Sequence, residues 1–202
     1  MNIIVIGGGA AGLMAAGTAA ENGAHVTLFE TNEKVGRKLF ITGKGRCNVC
    51  NHCDTPTVLQ NVPVNPRFLY SALGCFAPAD VMAFFESHGV PLKTERGNRV
   101  FPVSDHAADI IDALFTWIKR SGVIIKRETV QELVIRDGHV CGVQAGGTVF
   151  SADRVIVATA APPIRKPAPP GMATALPKRW GIRSYRPTPR LCRWSRPAAV
   201  KS

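Results

Sequence analysis

The 202-residue sequence contains no apolar run long enough to span a bilayer, which takes about 20 residues. Its apolar start has no basic region ahead of it and is broken by three glycines, so it is not a secretory signal. Six cysteines without such a signal point to a reducing, cytoplasmic setting and free thiols. There is no internal repeat. Acid is missing from one whole stretch: Ala160 to Ser202 has no Asp or Glu, yet it holds ten Lys or Arg and nine of the fifteen prolines. The formal charge of +11 is therefore local, because residues 1–159 carry fifteen bases against fourteen acids. Two different kinds of sequence meet at about Thr159.

What is present organises around the first thirty residues. Asn2 to Ile6 is apolar and β-branched and runs into Gly7-Gly8-Gly9-Ala10-Ala11-Gly12; Leu13 to Asn22 is Ala-rich and helix-favouring; His25 to Phe29 is a second apolar run ending on Glu30. Strand, glycine turn, helix, strand and acid make the layout of a dinucleotide-binding βαβ unit. Gly7 permits a tight turn, Gly9 lets a pyrophosphate approach the backbone, and Gly12 allows the helix to pack closely. The helix N-terminus offers unpaired N–H groups to a diphosphate. Glu30 stands where a carboxylate accepts hydrogen bonds from ribose hydroxyls. It fits FAD or NAD and would repel the 2′-phosphate of NADP.

From Thr31 to Asn51 glycines and cations alternate, which predicts an ordered loop able to wrap an anion; a solvated basic loop reads equally well from the residues alone. Pro66 to Phe76 and Pro78 to His88 read as helices, with Phe68, Leu69, Leu73, Val81, Phe84 and Phe85 as core. Pro91 to Thr94 and Arg99 to Phe101 are short strands. Ser104 is placed to cap a helix through Arg120 that turns Ile110, Ile111, Leu114, Phe115 and Ile118 inward. Strand patterns follow at 123–126, 130–136, 140–144, 148–150 and 154–158, with Asp137-Gly138 and Gly146-Gly147 as turns. The order predicts an α/β, Rossmann-like FAD/NAD(P)-binding domain of the two-dinucleotide type. A β-meander crosses over before its last parallel strand.

Several stretches together resemble one family. They are Gly7 to Ala16, Gly36-Arg37-Lys38-Leu39, Ile41-Thr42-Gly43-Lys44-Gly45-Arg46-Cys47-Asn48, Asn65 to Leu73 and Arg99-Val100-Phe101-Pro102. The chain is similar over residues 1–159 to the YhiN/BaiN-like (aminoacetone oxidase-like) family of bacterial NAD(P)/FAD-dependent oxidoreductases. The resemblance implies FAD, with the diphosphate at Gly7, Gly9, Ala10, Ala11 and Gly12 and the ribose at Glu30. It further implies that Arg37, Lys38, Arg46, Cys47 and Asn48 line the flavin side, that the Val130 backbone meets the adenine, and that Thr159 is also a cofactor-binding residue. In this family the flavin carries the electrons. NAD(P)H is the implied partner of a full-length protein, which would also carry a substrate domain and a C-terminal segment over the flavin.

Where family members continue A-T-G-G, this sequence reads Ala158-Thr159-Ala160-Ala161-Pro162-Pro163. Reading Thr159 to Thr174 from each third codon base, with permitted choices, spells G-G-A-S-Y-P-K-T-G-A-T-G-D-G-Y, the peptide the family carries there. The expectation is an incomplete FAD-binding domain over 1–159 and a basic, out-of-frame and disordered tail over 160–202, giving a catalytically incomplete fragment. A competing reading makes the tail, with Trp180, Tyr185 and Trp194 among its cations, a nucleic-acid-binding arm. The neutral part itself predicts neither a nucleic-acid nor a membrane partner. Cys47-x-x-Cys50-x-x-Cys53 with His52 has metal-like spacing, but no second Cys pair follows. A redox pair at Cys50 and Cys53, or free loop thiols, are the alternatives.

Overall fold

The computed structural model describes residues 1–159, and the expectations for 160–202 lie outside them. The chain runs β1 (Asn2–Ile6), α1 (Ala10–Glu21), β2 (His25–Phe29), α2 (Arg37–Ile41), α3 (Thr55–Gln60), α4 (Tyr70–Cys75), α5 (Pro78–Ser87), β3 (Leu92–Glu95), β4 (Arg99–Pro102), α6 (Ala107–Arg120), β5 (Ile124–Lys126), β6 (Val130–Arg136), β7 (His139–Ala145), β8 (Thr148–Ser151) and β9 (Arg154–Val157). Four strands form a parallel sheet ordered β5-β2-β1-β9. The antiparallel meander β6-β7-β8 and the hairpin β3-β4 complete the set. This is the α/β Rossmann-like architecture with a meander crossover that the element order predicts.

Alternation along β1 divides the core into two faces. Ile3 and Val5 join Leu13, Val26, Leu28, Ile110, Leu114, Trp117 and Ile118 beneath α1 and α6. Ile4 and Ile6 join Phe29, Val130, Val143 and Ala145 beneath the meander. The meander thus does for one face what helices do for the other. It closes tightly at Gly142, where an added Cβ would fall 2.1 Å from the Phe150 carbonyl oxygen.

Several details differ from the sequence reading. α1 begins three residues early, at Ala10, since the glycine turn itself supplies the first helical turn. Thr31 to Asn51 is not wholly loop: left-handed Gly36 starts α2, and a tight turn with left-handed Gly43 and Lys44 follows over Thr42–Gly45. α3 was not expected, though Asp54 caps it through the Thr57 N–H at 3.0 Å. α6 begins at Ala107 because Asp105 takes a left-handed φ of 60°. Ser104 Oγ still serves that end by accepting from the His106 N–H and donating to Asp109. Phe115 and Phe68 point outward, 36% and 72% exposed, while Trp117 is the buried aromatic of α6. The outward turn of Phe68 follows from the 3-10 geometry of Pro66–Leu69.

Pro66 to Ser87 is 22 residues long with a mean hydropathy of 1.5 over its most apolar window. It is not one rod, because Phe76 (φ −148°, ψ 86°) and extended Ala77 break it ahead of Pro78. Its longest continuous piece is the ten-residue α5, about 15 Å long at 1.5 Å per residue, roughly half of a bilayer core of about 30 Å.

Candidate functional site

The C-terminal ends of β1, β2 and β9 meet at the glycine turn. Gly7 leaves β1 with φ 103°, its N–H donating to the Phe29 carbonyl at 2.8 Å. An added Cβ there would fall 3.0 to 3.2 Å from Ala158 and Thr159, which places Thr159 on the turn's other side. At Gly12 a Cβ would lie 1.8 Å from the Gly7 carbonyl oxygen, a position no side chain can share. Gly9 is different: nothing lies within 4 Å of an added Cβ. It is the N-cap of α1 and supplies no side-chain cap, and the first turn holds no acid. Ala10 and Ala11 follow, both exposed. The positive end of a twelve-residue helix therefore faces open space with its leading N–H groups unsatisfied by side chains.

Glu30, at the end of β2, reaches back to this turn. Its Oε2 accepts from the Gly8 N–H at 2.6 Å. Its Oε1 accepts from the backbone and side chain of Asn32 at 2.8 and 2.6 Å. Asn32 in turn accepts from Arg37 Nη1 at 3.1 Å. Asn32 is a site residue the sequence reading missed; its place two residues past the acid was the available signal. The Gly36 N–H donates to the Gly8 carbonyl at 2.8 Å and ties the next segment to the turn. Beyond Glu30 an open cleft of about 940 Å³ runs between this segment and α6, with Arg37 on its rim and Phe40, Ile111 and Phe115 in its wall. Lys38 is exposed on α2.

Arg46, Cys47 and Asn48 gather elsewhere, on the β3-β4 hairpin. Arg46 Nη2 lies 2.5 Å from both Glu95 Oε1 and Asp105 Oδ1, and its guanidinium stacks 4.2 Å over the Phe101 ring. Lys93 Nζ donates to Asp105 Oδ2 at 2.7 Å. Cys47 is buried (1% exposed) in the α6-side core. Asn48 is exposed, and its amide, oriented by its partners, donates to the Val100 and Cys50 carbonyls. Val130 is 7% exposed and packs under the meander with Phe29. Nothing in the sequence announced Glu95 and Asp105, which lie 49 and 59 positions from Arg46.

Two thiols of the Cys47–Cys53 stretch, Cys47 and Cys50, are held toward their protonated form. Burial pushes Cys47 up, and burial with the neighbouring Cys53 pushes Cys50 up to about 11. Among the described residues no group of three or more His, Cys, Asp or Glu could hold a metal ion.

The carboxylates around Arg46 make acid stability testable. Hydrogen bonding to Arg46 holds Glu95 below its ordinary 4.5, and Lys93 and then Arg46 hold Asp105 below 3.8. Because the folded values are depressed, the unfolded chain binds more protons as pH falls through this range. The contribution is present above about pH 4 and is lost below it, through the folded values. The urea midpoint of the chain is expected to fall between about pH 5 and 3, and that of Glu95→Gln/Asp105→Asn to fall less. Equal slopes would show that the pair contributes nothing.

The family described as HI0933-like protein Rossmann domain matches residues 1–183, a span that runs past Thr159. A 3-dehydro-bile acid delta(4,6)-reductase from Clostridium scindens is 34% identical over 156 residues, covering 76% of this chain and 37% of the relative. A ribosomal RNA dihydrouridine synthase from Haemophilus influenzae is 31% identical over 160 residues, covering 77% and 39%. The chain thus spans well under half the length of these curated relatives. The crystal structure of THI4 from Thermovibrio ammonificans superposes with a TM-score of 0.56 at 16% identity, covering 79% of this chain and 57% of that one, a likeness of fold.

Proposed function

The chain belongs to the HI0933-like Rossmann family, and from that premise we propose that it is the FAD-binding portion of a flavin-dependent oxidoreductase. The observation that carries the reading is the uncapped N-terminus of α1, facing the open space at Gly9 beside the Glu30 carboxylate. A diphosphate fits that cradle: it would accept from the backbone N–H groups after Gly9, with no acid in the first turn to repel it. Glu30 would trade its bond to the Asn32 side chain for ribose hydroxyls while holding the Gly8 N–H. Thr159, Arg37 and Lys38 would border the group, and Val130 would present its backbone to the adenine. When bound, the flavin supplies the electron transfer; this chain's residues bind and orient it.

The names of both curated relatives denote hydrogen added to a substrate, which supports reduction as the parent reaction; NAD(P)H as a partner of the full-length parent rests on the family resemblance alone. Residues 1–159 hold the adenine and diphosphate half of such a site, so we take this chain alone to be catalytically incomplete. The described cysteines are all free thiols, which supports a cytoplasmic setting. We read 160–202 as an out-of-frame tail on its acid-free composition and the shifted peptide, and Thr159 as the end of the domain. The family match to residue 183 weighs against that boundary. The nucleotide sequence across Thr159 decides: a read with no lost base would remove the idea, and salt-dependent RNA binding that disappears on deleting 160–202 would establish the nucleic-acid arm.

Gly9→Ala tests the cofactor reading. Its Cβ meets no protein atom, so thermal stability should stay within about 0.5 kcal/mol of the parent value. FAD uptake, followed by flavin fluorescence and the bound-flavin absorption band, should drop at least tenfold because the Cβ occupies the diphosphate's approach. Unchanged uptake would sink the assignment of the glycine turn.

A further inference from the structure

We propose that Glu95 and Asp105 are positioning residues. They seat the Arg46 guanidinium on the β3-β4 hairpin and so fix Thr42–Asn48, the run that anchors the Phe40–Ile41 wall of the cleft in which the flavin would lie. The proposal rests on the FAD reading for its second half and on geometry alone for its first.

The guanidinium is already committed. Nε donates to Asp105 Oδ1 at 2.7 Å and Nη2 to Glu95 Oε1 at 2.5 Å, while its face lies on Phe101. Lys93 completes a group of two cations and two anions, 2.7 Å from Asp105 and 3.6 Å from Glu95. The cluster is neutral, and the carboxylates take Nε and Nη2, so Nη1 is the guanidinium nitrogen left without a partner among the described residues. Among the described residues, the cations of Thr31 to Asn51 with no ion pair to an acid are Lys34, Arg37, Lys38 and Lys44.

The backbone around Arg46 needs such an anchor. Gly43, Lys44, Gly45 and Cys47 all have positive φ, at 58°, 58°, 85° and 60°. For Lys44 and Cys47 that conformation is unfavourable and persists only where the surroundings over-determine it. Arg46 lies between the two. The Cys47 N–H closes on the Thr42 carbonyl at 3.1 Å, and an added Cβ on Gly43 would fall 3.2 Å from the ring on which Arg46 stacks. Just downstream, the Val49 N–H donates to the Val100 carbonyl at 2.9 Å and the Val100 N–H to the Cys50 carbonyl at 3.0 Å, sewing the segment to β4. The hairpin is thus a platform, and the two carboxylates at its ends hold Arg46 within the left-handed run.

The test uses the full 202-residue chain and the variants Glu95→Gln/Asp105→Asn, Arg46→Met and Arg46→Lys. Two readouts are taken: FAD affinity by flavin fluorescence, and amide exchange of residues 42–48 by mass spectrometry without flavin. All three variants should raise exchange over 42–48 and weaken FAD about tenfold, with Arg46→Met adding little to the carboxylate double variant. Arg46→Lys keeps the charge but lacks the fork, so it should behave like Arg46→Met. Tighter FAD binding by Glu95→Gln/Asp105→Asn would overturn the proposal, since a freed guanidinium would then be the ligand. Unchanged exchange would overturn it as well. If the parent chain takes up no FAD, the flavin reading fails, and the exchange comparison still decides whether the clamp exists.

Discussion

Gly12→Ala should destabilise the chain by about 3 kcal/mol, the upper part of the range for over-packing. The added methyl would stand 1.8 Å from the Gly7 carbonyl oxygen and 3.4 Å from the Ala158 Cβ. The carbonyl is backbone and sits in a turn pinned by the bond from the Gly7 N–H to Phe29, so it cannot swing aside as a side chain would. Relief requires α1 to move off β1, which opens the seam lined by Leu13 and Ala16 against Val5. Urea unfolding followed by far-ultraviolet circular dichroism measures the loss, and FAD uptake should vanish with it. Gly74→Ala is the control. That glycine lies in α4 with no atom within 4 Å of an added Cβ, so the same chemical change should stabilise by up to about 1 kcal/mol through helix propensity. A Gly12→Ala chain as stable as its parent would mean that the turn is looser than described.

The same turn shows why so much of this fold was legible. Continuous apolar, β-branched runs, glycines at a turn and an acid at the end of the second strand are local signals. Each is set by residues within about one turn or strand length of one another. The meander was legible for the same reason, since Asp137-Gly138 and Gly146-Gly147 name their own turns. α3 was legible in principle, because Asp54 followed by Pro56 is a helix start, but six residues leave too short a period to recognise. What sequence does not carry is partnership across distance. Arg46 looked like one more cation in a basic loop until the fold brought Glu95 and Asp105 to it. α6 shows the intermediate case. Its amphipathic period was clear, yet Phe115 and Trp117 are both aromatic and two apart, so they cannot share a face. Which of them turned inward depended on the partner helix.

That partner is α1, and it makes Trp117→Ala the second large effect, a loss of about 4 kcal/mol. Trp117 is 6% exposed. An added Cβ on Gly17 would fall 2.3 Å from its ring, so the missing side chain on α1 is the space the indole fills. Phe84 of α5 meets it edge-on, with centroids 4.9 Å apart. The indole Nε1–H donates to Glu21 Oε1 at 2.5 Å, tying the last turn of α1 to α6. Alanine would therefore leave a void bounded by three helices and an unpaired carboxylate. The cavity term should dominate because β1 and β2, already paired to β9 and β5, prevent α1 from collapsing into it. Trp117→Phe separates the two contributions. It keeps a six-membered ring but loses the N–H and part of the indole volume, so it should cost about 2 kcal/mol, between the parent and Trp117→Ala. Gly17→Ala in the Trp117→Ala background should recover part of the loss by filling the void from the other side, although in the parent it should itself destabilise. Urea midpoints of the four chains form a double-mutant cycle. Additive values would show that the two residues do not share one packing site.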